Sequence, residues 1–235
     1  SVSFFAKNSK YIRAYYIALN NEFALELING KISEAQTTYQ NINNLKEKNF
    51  SIRFPRQELL ENNSLIFKIM SNDYSVDTSI IDDFSSLKET TKSADRILIS
   101  SNLAVAYALY GCIEEAIMTL TDEFNALQCT KDSEGIYSYR VICNLAILQF
   151  IKDNSQRENS ICLLNTINLP KEDPHYYERS KEHKLFVETI EQTKQCTSVI
   201  DWMKSYRERV DVPRNYYCLH ESGFVFTTLF DWDDE

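Results

Sequence analysis

Residues 102–120 read NLAVAYALYGCIEEAIMTL, a helix-periodic apolar run broken by one of only four glycines in a chain of 235 residues. Glycine is the residue most easily placed in the left-handed conformation that ends a helix. Gly111 therefore predicts a tight corner between two antiparallel helices. Ala116, on the second of them, is small enough to let it approach the first closely.

The same grammar recurs along the chain. Residues 24–42, ALELINGKISEAQTTYQNI, run helix, Asn29-Gly30 corner, helix, with Ala35 and Tyr39 on the second arm. Residues 63–84 break at Ser71-Asn72-Asp73, where Asn and Asp take the turn role of glycine. Residues 144–164, NLAILQFIKDNSQRENSICLL, break at Asp153-Asn154-Ser155 and repeat the Asn-Leu-Ala of positions 102–104. Corners near 30, 72, 111 and 153 are spaced by roughly forty residues, as in a solenoid of helical hairpins.

The periodicity predicts helices at about 11–28, 32–47, 56–71, 74–90, 94–110, 113–128, 136–152, 157–167, 174–195 and 197–210. The fold class expected is all-α, a right-handed superhelical array of about five antiparallel helix pairs. Residues 1–168 read as the repeats. Residues 169–212 read as a capping pair, entered between Pro170 and Pro174 and turning without glycine near Gln195-Cys196. In residues 213–235, two aromatic and β-branched runs flank Glu221-Ser222-Gly223, which predicts a hairpin-like tail with an acidic end.

Composition supports this architecture. Hydrophobic residues make up 43% of the chain and aromatics 12%, enough for a substantial core. Four Gly and four Pro leave few turn sites, which argues against a β-sandwich or a glycine-rich doubly wound fold. Lys and Arg total 25 against 34 Asp and Glu, a net charge of −9 without a long basic block. That field repels phosphate backbones, so no nucleic acid is expected as the main ligand. Lys181, Lys184, Arg207 and Arg209 are interleaved with Glu and read as solvated helix surface.

Six cysteines, Cys112, Cys129, Cys143, Cys162, Cys196 and Cys218, are scattered without a CxxC pair, most of them among apolar neighbours. No secretory core or long apolar span is present, so a cytoplasmic location and no membrane are expected. The chain begins at Ser1 rather than Met, which reads as a piece of a longer protein.

The stretch around Gly111 resembles the tetratricopeptide repeat, a helix-turn-helix unit of about thirty-four residues. Asn102, Leu103, Ala104 and Tyr107 match its first helix, Gly111 its corner, and Ala116 with Leu120 its second helix. Gly30, Ala35 and Tyr39 match the later half; Leu145, Ala146, Ser160 and Leu164 match with a two-residue insertion at the corner. The characteristic Trp and closing Pro are absent, Glu123 stands where a small residue is usual, and the period is longer. The resemblance spans about residues 11–168. It implies first helices lining a concave groove that receives a peptide or protein surface. Similar irregular arrays form C-terminal sensor regions of large multidomain signalling and defence ATPases, an analogy at the level of fold.

By helical pattern, Val105, Ala108 and Leu109 on one first helix, and Arg140, Ile147 and Ile151 on the next, project toward that groove, with Arg140 placed to pair a carboxylate. The same spacing also fits core between repeats, because periodicity cannot separate the faces of a helix buried on two sides. The tail aromatics, Tyr216 and Trp232 among them, form a rival binding feature. Alternation along a strand would turn Tyr217, Leu219, Phe224 and Phe226 inward.

Chemistry is poorly represented. His175 and His183 sit two helical turns apart, too far to share one zinc, and Cys218-x-His220 has no second ligand pair nearby. GxSxG, GxxxxGK[ST] and GxGxxG are all missing. The expectation is a chain with no catalytic residues and no metal or cofactor, acting as a protein- or peptide-binding scaffold, a sensor or adaptor module of a larger protein. The alternative is a receptor for a small ligand or signalling peptide on the concave surface, with the tail as its lid. Self-association through an array end is a further expectation.

Overall fold

In a computed structural model, residues 2–91, 95–128, 136–168, 171 and 176–209 are described. Among them the chain is all-helical, with no strand. Ten α-helices follow one another: α1 (Val2–Ile28), α2 (Ile32–Lys48), α3 (Gln57–Ser71), α4 (Thr78–Thr90), α5 (Asp95–Tyr110), α6 (Ile113–Gln128), α7 (Ile136–Lys152), α8 (Arg157–Leu164), α9 (Tyr176–Gln192) and α10 (Val199–Arg207). Sequential helices pack in pairs. The hairpin-like tail expected at 213–235 lies outside the described residues.

The glycine corners form as their chemistry requires. Gly30 has φ +67° and Gly111 φ +101°. At the first corner, Gly30 N–H donates to Leu27 C=O at 3.0 Å and Lys31 N–H to Glu26 C=O at 2.9 Å. At the second, Gly111 N–H donates to Ala108 C=O at 3.1 Å and Cys112 N–H to Tyr107 C=O at 2.8 Å. These are the paired bonds of the Schellman motif, which satisfy carbonyls left open at a helix end. A Cβ at either glycine would meet nothing within 4 Å, so conformation, not space, selects glycine here. Ala35 and Ala116 are both fully buried.

The other two corners use different devices. Asp73 and Tyr74 adopt φ +48° and +60° without glycine. That unwinds the chain past the expected start near 74, and α4 begins only where Asp77 caps it, accepting from Ile80 N–H at 3.0 Å. Asp153 accepts from Ser155 N–H at 2.9 Å and opens a 3₁₀ turn, Asn154–Gln156, before α8. Ser198 caps α10 in the same way through Asp201 N–H. At the other extreme, α1 extends N-terminally to Val2, well beyond the 11 that periodicity suggests.

The described residues divide into two compact units, one up to Asp73 and one from Tyr74. In the first, α1 packs along α2, and α3 lies against both. Phe23, Tyr39 and Phe67, one from each helix, form a ring triangle with centroids 5.4, 5.8 and 6.1 Å apart. Burial of such rings removes large apolar area from water.

In the second unit α5 packs against α4, α6 and α7, and α7 against α5, α6, α8 and α9. A helix flanked on so many sides has to be apolar nearly all round. Consistent with this, Val141 to Leu148 are buried without interruption. Beyond them Phe150, Trp202, Tyr206 and Phe186 pass the aromatic core from α7 through α10 to α9, with successive centroids 6.4, 6.3 and 5.6 Å apart. Glu123, on α6, approaches Lys88 of α4 at 3.5 Å, with both side chains mostly covered.

Candidate partner-binding surface

The residues read from the sequence as a groove lie largely inside. Val105, Ala108 and Ile147 are fully buried, and Ile151 is nearly so. Leu109 and Arg140 are half-buried. The physical reason is the layering just described: α5 and α7 face each other and also their own second helices, so their apolar residues close the core. Tyr216 and Trp232 lie outside the described residues.

Within each unit, alternate helices are joined by a seam of buried polar groups that the apolar pattern does not reveal. Asn63 Nδ2 on α3 donates to Asn20 Oδ1 on α1 at 3.3 Å. Asn144 Nδ2 on α7 donates to Ser101 Oγ on α5 at 3.2 Å. Tyr139 Oη on α7 donates to Glu182 Oε2 on α9 at 2.7 Å. Each pair is separated by 43 residues. The roughly forty-residue rhythm of the corners is therefore also the rhythm of contacts inside the units. Buried polar groups must be bonded, so these pairs hold the helices they join in one register.

The seam offers little reactivity. Burial pushes the Cys143 thiol well up, and the nearby Glu182 charge adds to this while a hydrogen bond with Tyr139 opposes it. Cys196 is pushed up to about 11, mainly by burial and further by Asp201. Neither is a thiolate near neutrality, the form that attacks or binds metal. His183 is held below its ordinary value by burial, with Nε2 3.1 Å from Leu164 C=O. Among the described residues no group of three or more His, Cys, Asp or Glu is placed to hold a metal ion, and no helix is long and apolar enough to cross a membrane. His175, His220, Cys129 and Cys218 lie outside them.

What the first unit does expose is aromatic. Phe50, in the loop joining α2 to α3, is 89% exposed. Tyr11 and Tyr15, one helical turn apart on α1, are 65% and 55% exposed. The loop is nonetheless anchored: Phe54 is buried, its ring centroid 4.8 Å from that of Tyr16. Pro55 restricts Phe54 to extended backbone, Asn49 Nδ2 donates to Leu45 C=O at 2.8 Å, and Ile52 N–H to Asn49 C=O at 2.8 Å. The Phe54–Tyr16 contact thus ties the loop to the segment of α1 that carries Tyr11 and Tyr15. The apolar pattern of the sequence does not mark these rings as exposed.

Comparison of the chain with protein-family models, with curated proteins and with solved structures gives no match.

Proposed function

We propose that this chain is a non-catalytic platform for protein or peptide partners, a tetratricopeptide-like run of helical hairpins serving as the sensor or adaptor module of a larger protein. The observation that carries the reading is the set of large aromatic side chains, Phe50, Tyr11 and Tyr15, exposed to water on an anchored loop and helix of the first unit. Exposing such rings forfeits burial energy, and aromatic anchors of this kind are what interfaces bury. The interior, by contrast, is filled with packed apolar groups and bonded polar pairs whose thiols are kept protonated.

The test is selection of peptides from a displayed random library on the full chain, followed by hydrogen exchange with the best binder. Protection gathered on α1 and the 49–56 loop supports the platform. Failure to select any peptide, together with turnover of a nucleotide or peptide substrate that a single substitution abolishes, replaces it with an enzyme.

A further inference from the structure

The charge of this acidic protein is unevenly distributed along its sequence. Up to Asp73 the sequence carries nine Lys or Arg against seven Asp or Glu; from Tyr74 onward it carries sixteen against twenty-seven. A net charge of −9 is thus the sum of +2 over residues 1–73 and −11 over the remaining residues. Within the first unit, the loop region Lys46–Arg56 holds four basic residues and one acidic residue.

Cations flank the rings along the chain. Lys48 and Arg53 flank Phe50 and are exposed, and Lys10 and Arg13 are exposed beside Tyr11 and Tyr15. None of these four forms an ion pair among the described residues. Arg56, which immediately precedes α3, sits at φ +41° in the left-handed region, a conformation that residues other than glycine rarely adopt. Strain of that kind persists where the surrounding structure fixes the backbone. The patch therefore presents aromatic area and positive charge from a defined framework.

We propose that the 46–56 loop, with the α1 segment it is tied to, binds an acidic segment of a partner protein, one with Asp or Glu flanking an aromatic or aliphatic anchor. Arg and Lys would pair the carboxylates while the rings take the anchor. Three polyanions have the right sign, and the rest of the molecule decides among them. A nucleic acid or an anionic membrane is an extended polyanion, which the net charge of −9 carried by the chain repels. A short acidic segment can occupy the patch alone. The inference rests on the platform reading and narrows its partner.

The experiment uses the full chain and fluorescence anisotropy with a labelled short peptide of Asp and Glu around one Trp. Its Asn/Gln counterpart, a single-stranded oligothymidine and phosphatidylserine-containing vesicles serve as the other arms. The acidic peptide should bind, weakening about tenfold between low and physiological salt. Phe50→Ser and Arg53→Glu should each weaken it about tenfold, with unchanged far-ultraviolet dichroism and melting temperature, since both side chains are exposed. Equal binding of the neutral peptide overturns the charge assignment and leaves the platform standing. Tighter binding of the oligonucleotide or vesicles through the same residues overturns the protein partner. No binding by any arm overturns the inference, while the displayed-library selection judges the platform separately.

Discussion

The side-chain amide of Asn154 grips both backbone groups of Cys196: its Nδ2 donates to Cys196 C=O at 2.5 Å and its Oδ1 accepts from Cys196 N–H at 2.6 Å. Arg157 continues the clasp, donating to Glu191 C=O at 2.6 Å and Thr193 C=O at 2.5 Å while its guanidinium lies 5.4 Å from the Phe150 ring centroid. The turn after α7 thereby holds the α9–α10 connection. This is how a corner without glycine near Gln195-Cys196 is kept closed.

Asn154→Ala removes both partners of Cys196 and leaves partly buried backbone groups unpaired, at a cost of about 2–3 kcal/mol. Asn154→Asp keeps the acceptor but turns a second oxygen toward Cys196 C=O, and should be no better. Urea denaturation measures the cost. Peptide-resolved alkylation should show Cys196, buried in the intact chain, modified faster in both variants. An unchanged Cys196 rate would show that the clasp is not what closes the connection.

Tyr139→Phe takes a hydrogen-bond donor from the buried Glu182 carboxylate. Bonds to charged groups are worth about 1.5–3 kcal/mol, so a loss in that range is expected. Glu182→Gln should lessen the penalty of Tyr139→Phe, because the neutral amide needs the donor less. A double-mutant cycle reads the coupling, which should exceed about 0.5 kcal/mol. Additive effects would mean that the two side chains are neighbours without a shared bond.

Gly30→Ala and Gly111→Ala test the two matched corners. With nothing near the added Cβ, the cost is conformational, about 1–2 kcal/mol each. Asn at the same positions, more at ease in the left-handed region, should recover part of it. Alanine variants as stable as the parent would mean that these corners reshape without their positive φ.

These corners were legible in the sequence because only a few residue types enter the left-handed region at little cost, and Gly30 and Gly111 announce it. Asp73 and Tyr74 reach the same region without such a signal, so the start of α4 was read too early. The helix map elsewhere followed from apolar spacing. The face of each helix did not: Val105 and Ile147 satisfy a groove pattern and a core pattern equally, and the packing of α5 against α7 decides for the interior. The pairs Asn20–Asn63 and Ser101–Asn144 were hidden for the opposite reason, since Asn and Ser on a helix ordinarily read as solvent-facing. Phe50 escaped notice because exposure of a ring is a property of the folded loop.

Glu26 supplies a pH-dependent test in the first unit. Its carboxyl is raised above its ordinary value chiefly by burial; a hydrogen bond from Thr38 and the Lys31 charge act in the other direction, while Glu22 and Glu34 add to the rise. Its Oε2 is buried without a hydrogen-bond partner. A carboxyl that binds its proton more tightly when folded than when unfolded destabilises the fold wherever it is ionised, and the penalty fades as pH falls through the folded pKa toward the unfolded value near 4.5. Glu26→Gln, which keeps an acceptor for Thr38 and removes the charge, should therefore raise the melting temperature at pH 7. The gain should shrink as pH falls through the folded pKa and vanish only below the unfolded value, where the carboxyl is protonated in both states. Melting curves of both proteins across that range decide the matter: a gain independent of pH would assign the effect to packing, and a loss at pH 7 would show that the Glu26 charge is stabilised by its surroundings.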